Sequence, residues 1–156
     1  MKTTHSIVTI LLLALMGEGA MLFAGHPETD KLVEEAKAET GEIEPQALKK
    51  MLDGGEKVIL LDVREADQRA EGEIFADEHF AITRGSLEFE ALNKIKDKQT
   101  LIVTYCRGGY RSALAAQTLR KLGYANTRNL KGGLKGWAKA GYDVDTGIGA
   151  MRLYEE

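Results

Sequence analysis

Cys106 is the only cysteine in the chain, and two arginines and two glycines follow it closely. A cysteine attacks as a thiolate, and nearby arginines or a helix N-terminus stabilise that anion. Arg107 and Arg111 supply positive charge, and a helix is predicted to begin near Arg111. Gly108 and Gly109 allow successive backbone N–H groups to turn inward and form an anion-binding nest. These residue types at this spacing predict a nucleophilic thiolate beside an anion-binding loop.

The alternative for Cys106 is a structural role, since a lone cysteine at a strand end is often a small buried hydrophobic residue. That interpretation suits a cysteine between apolar neighbours, whereas Cys106 is followed by Arg107 and two glycines. A single cysteine also leaves no intramolecular disulfide and no cysteine-rich zinc site. The histidines do not cluster along the sequence either, since they are His5, His26 and His79. We therefore expect a reactive cysteine, no metal and no organic cofactor.

Two apolar runs predict buried strands, and the second leads directly into Cys106. Residues 58–63 read VILLDV and residues 100–105 read TLIVTY. Continuous apolar runs of this length are typical of strands that are buried on both faces. A weaker strand is expected within residues 74–82 and a short one within residues 126–130.

Helices are predicted between these strands from apolar spacing and from flanking proline and glycine residues. The predicted helical segments are residues 45–52, 64–72, 87–95, 111–122 and 133–140. Strands that alternate with helices predict an α/β fold with a mainly parallel sheet. Ligands of such sheets bind at the carboxyl ends of the strands, and Cys106 lies at such an end.

Length and composition exclude several classes of protein. A chain of 156 residues fits one domain with a short appendage. With 44% hydrophobic and 29% charged residues, it is neither a disordered tail nor a multi-pass membrane protein. The net charge of −3 comes without a basic stripe, so we expect no nucleic-acid partner.

The segment around Cys106 resembles the active-site loop of a known family, the rhodaneses. Residues 106–112 read CRGGYRS, which is similar to the Cys-Arg-x-Gly-x-Arg form associated with thiosulfate sulfurtransferases. Further segments resemble the family pattern in the same order: LDVRE at 61–65, ITRGSLE at 82–88 and LKGGLKGW at 130–137. The resemblance implies a rhodanese-like fold, with a central, mainly parallel five-stranded sheet and helices on both faces.

One segment departs from the family pattern. Where the family has Gly-His-Ile-Pro-Gly-Ala, residues 72–77 read GEIFAD, with Glu73 in place of histidine and no proline. The sequence therefore leaves the conformation of residues 73–80 open. The segment around Arg84 resembles single-domain rhodaneses of the periplasm that transfer polysulfide sulfur, so polysulfide stands beside thiosulfate as an expected donor.

The resemblance implies an enzyme that carries sulfur as a persulfide on Cys106. It would move sulfane sulfur from a small anionic donor, thiosulfate or polysulfide, to a thiol, to cyanide or to a protein cysteine. The candidate substrate-binding residues are Arg107, Gly108, Gly109, Tyr110, Arg111, Arg64 and Arg84. Arg64 and Arg84 rest on the resemblance alone, and a structural salt bridge is an equal alternative for Arg64.

Two other functions remain open. A non-catalytic persulfide carrier or binding module would keep both the cysteine and the nest. A phosphatase or arsenate reductase of the same fold would too, but phosphatases of this kind have one residue more between cysteine and arginine. In this chain four residues separate them, Arg107, Gly108, Gly109 and Tyr110.

The N-terminus resembles an export signal. Lys2 precedes an apolar block at residues 7–16, which is of signal-peptide size and shorter than the roughly 20 residues of a membrane-spanning helix. We predict a signal peptide over residues 1–24 and a periplasmic protein, with an uncleaved membrane anchor or a buried helix as alternatives.

The rest of the chain divides into three segments. Residues 25–41 are expected to form a polar linker or a lead-in helix, with a helix that mediates a homodimer as an alternative. The rhodanese domain is predicted over residues 42–145, and residues 146–156 are predicted to form a C-terminal tail.

Overall fold

The computed structural model describes residues 26–152. The predicted signal peptide of residues 1–24, with its anchor and buried-helix alternatives, lies outside the described residues, as do residues 153–156. Within the described part of the chain, no helix has both the length and the apolar character needed to cross a membrane.

A parallel sheet forms the centre of the domain. Its strands within the described residues are β1 (Glu42–Ile43), β2 (Val58–Asp62), β3 (Glu78–Ala81), β4 (Leu101–Tyr105) and β5 (Thr127–Leu130). They form a 5-stranded sheet in the order β1-β5-β4-β2-β3, and each neighbouring pair is parallel. Every residue of β2 is buried, as its continuous apolar run predicts.

Helices cover both faces of this sheet. Within residues 26–152 they are α1 (Pro27–Thr40), α2 (Pro45–Asp53), α3 (Leu87–Lys94), α4 (Tyr110–Lys121) and α5 (Gly133–Lys139), with 3₁₀ turns at Asp67–Glu71 and Arg84–Ser86. Because side chains alternate along a strand, Leu60 packs in the core formed with α2 and α5. Its neighbours Ile59 and Leu61 pack in the core formed with α3 and α4. The predicted fold class is confirmed.

α1 packs on the outer side of α4. Val33 and Ala36 are buried in a small cluster with α4. Arg120 of α4 donates hydrogen bonds to the carbonyl oxygens of Glu39 at 2.7 Å and Thr40 at 2.8 Å. Of the two structures expected for this segment, linker or lead-in helix, the chain forms the helix, and the helix is docked on the domain.

A short hairpin lies partly within the segment predicted as a tail. Its antiparallel strands are β6 (Val144–Asp145) and β7 (Ala150–Met151). Asp145 also pairs with Glu73 through two backbone hydrogen bonds of 2.7 and 2.8 Å. This pairing fixes the segment whose conformation the sequence left open, so that Ile74 is buried and Phe75 is 72% exposed.

Candidate active site

The loop between β4 and α4 carries Cys106. β4 ends at Tyr105 and α4 begins at Tyr110, so the loop spans Cys106 to Gly109. Gly109 has a φ of 91°, in the left-handed region that glycine adopts without a steric penalty. This turn brings the N–H of Gly109 to 3.2 Å from Sγ of Cys106.

The carbonyl groups of this loop are held by the elements behind it. Two N–H groups from the first turn of α5 donate to the carbonyl oxygens of Cys106 at 2.8 Å and Arg107 at 3.0 Å. The side-chain amide of Asn129, on β5, donates to the carbonyl oxygen of Gly109 at 3.0 Å. Because these carbonyls are fixed, the loop N–H groups are free to converge on an anion, as in a backbone nest.

The Cys106 thiol is 2% exposed and is surrounded by hydrogen-bond donors. The hydroxyl of Ser112 lies 3.4 Å from Sγ. Burial alone raises the pKa of the thiol, but hydrogen bonds from the Ser112 hydroxyl and from the N–H groups of Ser112, Gly109 and Gly108 outweigh it. The pKa of Cys106 therefore lies below its ordinary value, which favours the nucleophilic thiolate.

A pocket of about 290 Å³ opens over the thiol, lined by Cys106, Arg107, Gly108, Tyr110, Arg111 and Lys135. Among these lining residues are three cations and one nucleophile, so the pocket suits an anion that reacts with sulfur. A larger cavity of about 700 Å³ lies near the start of β2, beside Trp137 and Phe75. None of the described residues that line the larger cavity is a cysteine, serine or histidine, so the smaller pocket is the candidate active site.

The 3₁₀ turn Asp67–Glu71 holds the two loop arginines in different ways. Nη2 of Arg111 donates to Oε1 of Gln68 at 2.7 Å. Nε of Arg107 lies 3.4 Å from a carboxylate oxygen of Glu71, and the Arg107 side chain is 57% exposed. Arg111 is therefore fixed beside Cys106, whereas Arg107 lies at the rim.

Arg64 does not reach the pocket. Its side chain is 0% exposed and pairs with Asp62, and it also donates to the carbonyl oxygens of Gln68 at 2.9 Å and Gly72 at 2.8 Å. Of the two interpretations of Arg64, substrate binding and structural salt bridge, the structure shows the salt bridge. With no exposed surface, this guanidinium cannot contact a donor, but it holds the turn that carries Gln68.

Arg84 also lies outside the pocket lining. Its guanidinium donates to Glu88 at 3.0 Å and to the Thr118 hydroxyl at 3.0 Å, and these contacts join the start of α3 to α4. Tyr110, in contrast, lines the pocket, and Nζ of Lys37 on α1 lies 5.5 Å from the centre of its ring. α1 therefore contacts one wall of the candidate site.

Three residues of the candidate site were not predicted from the sequence. Ser112 and Lys135 both lie within the motifs quoted above, CRGGYRS and LKGGLKGW. A serine near the cysteine and a lysine in the first turn of α5 are therefore visible in the sequence, but their roles are not. Nothing in the sequence indicates a role for Gln68. It lies in a polar segment, and its hydrogen-bond partner Arg111 is distant along the chain.

Comparisons with known proteins give consistent matches. The rhodanese-like domain family matches residues 44–140. A sulfurtransferase from Allochromatium vinosum is 31% identical over 103 residues, which is 66% of this chain and 92% of that protein. An adenylyltransferase and sulfurtransferase from Zea mays is 32% identical over 128 residues, 79% of this chain, but the match spans only 26% of that protein.

The fold also matches solved structures. The solution structure of a polysulfide-sulfur transferase homodimer from Wolinella succinogenes superposes with a TM-score of 0.63 at 29% identity. The match covers 73% of this chain and 84% of that chain. The matched residues include the loop that carries the buried thiol and the element that docks on it.

Proposed function

The chain belongs to the rhodanese-like domain family, and from this we propose that it is a sulfurtransferase in which Cys106 carries the sulfur as a persulfide. The observation that carries the proposal is a buried thiol with a lowered pKa at the base of a cationic pocket. The sulfurtransferase from Allochromatium vinosum is matched over 92% of that protein's length, which supports sulfur transfer as the reaction.

In the first half-reaction, the Cys106 thiolate attacks the outer sulfur of an anionic donor. A bond forms between Sγ and that sulfur, the S–S bond of the donor breaks, and the leaving group departs with the bonding electron pair. The leaving group is sulfite when thiosulfate is the donor and a shortened polysulfide when polysulfide is the donor. Arg107, Arg111 and Lys135 line the pocket and would attract the donor and stabilise the departing anion.

The loop would then hold the persulfide anion. The N–H of Gly109 and the hydroxyl of Ser112 already point at Sγ, at 3.2 and 3.4 Å. A preorganised donor aimed at developing negative charge contributes about 3 kcal/mol in other enzymes. The nest is tight, and a persulfide adds one atom to the sulfur that the nest already surrounds.

In the second half-reaction, an acceptor thiolate attacks the outer sulfur of the persulfide. A new S–S bond forms on the acceptor, the bond to Sγ breaks, and the Cys106 thiolate is restored with its electron pair. Such double displacement is covalent catalysis with ping-pong kinetics. The acceptor would be a small thiol or a protein cysteine, with cyanide as the assay substitute. We place the reaction in the periplasm, because Lys2 and residues 7–16 have the pattern of an export signal.

The test is intact-mass analysis of the protein before and after incubation with thiosulfate or polysulfide. The wild type should gain about 32 Da, one sulfur atom, and lose it again to cyanide as thiocyanate. Cys106→Ser should gain no such mass, because Cys106 is the only thiol in the chain. Transfer by Cys106→Ser at more than about a hundredth of the wild-type rate would contradict the mechanism. An adduct that forms without steady-state turnover would make the protein a sulfur carrier.

A further inference from the structure

Gln68 links the buried part of the domain to the pocket. Its side-chain oxygen accepts a hydrogen bond from Arg111 at 2.7 Å, and its backbone carbonyl accepts one from Arg64 at 2.9 Å. Arg64 is itself fully buried and held by Asp62 and by the carbonyl of Gly72. A continuous series of hydrogen bonds therefore leads from the buried ion pair to the guanidinium beside Cys106.

The Gln68 side chain is neutral, and this determines how its hydrogen bond affects Arg111. An amide oxygen orients a guanidinium but carries no charge, whereas a carboxylate would form a bidentate ion pair that offsets the positive charge. Arg107, in contrast, has the carboxylate of Glu71 at 3.4 Å. Among the described residues, no carboxylate forms an ion pair with Arg111. Within the described residues, Arg111 is therefore held by a neutral acceptor and not by an ion pair.

We propose that Gln68 is a positioning residue that sets the anion selectivity of the pocket over Cys106. It holds the Arg111 guanidinium at the thiol without cancelling its charge, so anionic reagents reach the sulfur in preference to neutral ones. Gln68 acts through Arg111. The selectivity for sulfur donors rests on the proposed function, whereas anion selectivity at the thiol can be measured without it.

The first experiment compares alkylation of Cys106 by iodoacetate, an anion, and by iodoacetamide, its neutral analogue of similar size. The same thiolate displaces iodide from both reagents. The ratio of the two rate constants therefore does not depend on the thiolate fraction. Because the chain has a single cysteine, all alkylation reports on this pocket. In Gln68→Glu, the iodoacetate-to-iodoacetamide ratio should fall about tenfold, because the new carboxylate pairs with Arg111.

Three further variants separate positioning from net charge. Gln68→Met keeps the length but loses the hydrogen bond, and its ratio should fall by about threefold since Arg111 keeps its charge and loses its anchor. Gln99→Glu introduces the same charge at an exposed position before β4, at the opposite end of the sheet, and should leave the ratio unchanged. Gln68→Glu combined with Glu56→Gln, at an exposed position before β2, restores the net charge, yet its ratio should remain low.

The second experiment measures steady-state kinetics with thiosulfate. Gln68→Glu should raise KM about tenfold and change kcat by less than about threefold, since the change weakens donor binding more than the chemical step. Equal alkylation ratios in Gln68→Glu and Gln99→Glu, or an unchanged ratio in a folded Gln68→Met, would overturn the proposal. If the ratios change as expected while the wild type transfers no sulfur, the inference about Gln68 stands and the proposed function fails.

Discussion

A Cβ atom added to Gly133 would lie 2.3 Å from the carbonyl oxygen of Cys106. The same atom would lie 2.8 Å from the backbone nitrogen of Gly109. This close approach is what allows the first turn of α5 to donate its N–H group at 2.8 Å to the Cys106 carbonyl. The absence of side chains at Gly132 and Gly133 therefore allows α5 to pack directly against the back of the cysteine loop.

Gly133→Ala should damage both the fold and the site. Real Cβ atoms do not approach backbone oxygens at 2.3 Å, so α5 must move away from the loop, and we expect a loss of about 3 kcal/mol in unfolding free energy. Transfer and alkylation at Cys106 should slow by more than about tenfold. Denaturant unfolding and alkylation rates measure the two effects.

Gly141→Ala is the matched control. Gly141 also has a positive φ, 81°, but apart from its own atoms and those of its two chain neighbours, nothing lies within 4 Å of the position of its missing Cβ. The change should therefore cost only the backbone strain, about 1 kcal/mol, with normal reactivity at Cys106. Equal losses in the two variants would show that the close approach of Gly133 is unimportant.

The sequence predicted those parts of the fold that depend on local patterns. β2 and β4 are continuous apolar runs because both of their faces are covered, and the glycines after Cys106 mark a loop. β1 and the hairpin of β6 and β7 were not predicted, because each of these strands has 2 residues. Such strands are too short to show a period of alternation.

The candidate site was predicted only as far as its continuous motif. Arg107 and Arg111 follow the cysteine in the chain, so their proximity is local. Gln68 and Lys135 reach the site through the sheet order and the docking of α5, and neither can be inferred from spacing. Arg64 shows a different limit, since the sequence does not reveal whether an arginine within a motif is exposed or, as here, fully buried.

The lowered pKa of Cys106 predicts how its reactivity depends on pH. Burial opposes the thiolate, and the surrounding hydrogen bonds outweigh burial. The midpoint of alkylation by iodoacetamide should therefore lie at a lower pH in the folded protein than in the unfolded chain, where the thiol has its ordinary pKa. The thiolate also stabilises the fold: this contribution is complete above the unfolded pKa and is lost as the pH falls through the folded pKa.

Ser112→Ala tests the cause of this shift. It removes the hydroxyl that lies 3.4 Å from Sγ, so the pKa of Cys106 should rise and the alkylation profile should move to higher pH. With a net hydrogen-bond energy of about 1 kcal/mol, the midpoint of the profile should move up by about 0.7 pH units. Ser86→Ala removes a hydroxyl that bonds Thr83 outside the pocket, and its profile should match the wild type. A Ser112→Ala profile equal to that of the wild type would assign the shift to the backbone alone.

Lys135→Met should weaken the binding of anionic donors. The exposed Lys135 side chain lines the pocket with Arg107 and Arg111, so its loss should raise the KM for thiosulfate about fivefold and change kcat little. Lys121→Met removes the same charge from an exposed position at the far end of α4 and should leave KM unchanged.

The same kinetics should rank the sulfur donors. In the wild type, thiosulfate or polysulfide should be used at least about ten times more efficiently than 3-mercaptopyruvate, because the loop cations favour a compact dianion. The reverse ranking, or an equal rise in KM for Lys121→Met, would contradict this assignment of the pocket.

Export is tested by expression of the full chain in a bacterial host. It should accumulate in the periplasm with a mass that lacks residues 1–24, because Lys2 and the apolar block at 7–16 have the pattern of an export signal. A chain that starts at residue 25 should stay in the cytoplasm, folded and reactive at Cys106, because the described fold begins with α1 at Pro27. An unfolded product from this shorter chain would show that the apolar block belongs to the core.

The shape of the cysteine loop predicts sulfur transfer rather than phosphatase activity. α4 begins at Tyr110, directly after Gly109 turns its N–H to 3.2 Å from Sγ, so the loop closes around the sulfur itself. The phosphatases that resemble this fold have one residue more between cysteine and arginine, which widens the loop for a tetrahedral oxyanion. The described residues that line the pocket include no Asp or Glu to act as the general acid for an alkoxide leaving group. We therefore expect no measurable hydrolysis of aryl phosphates by the wild type.

A one-residue insertion makes this difference measurable. A glycine inserted between Gly109 and Tyr110 should draw the Gly109 N–H away from Sγ, slow sulfur transfer by more than about tenfold and permit weak aryl phosphate hydrolysis. A glycine inserted after Gly147 adds the same mass and should change neither activity, because Gly147 lies in the hairpin with nothing but its chain neighbours within 4 Å of its missing Cβ. Both activities are measured on all three proteins. A wild type that hydrolyses aryl phosphates faster than it transfers sulfur would reverse the assignment.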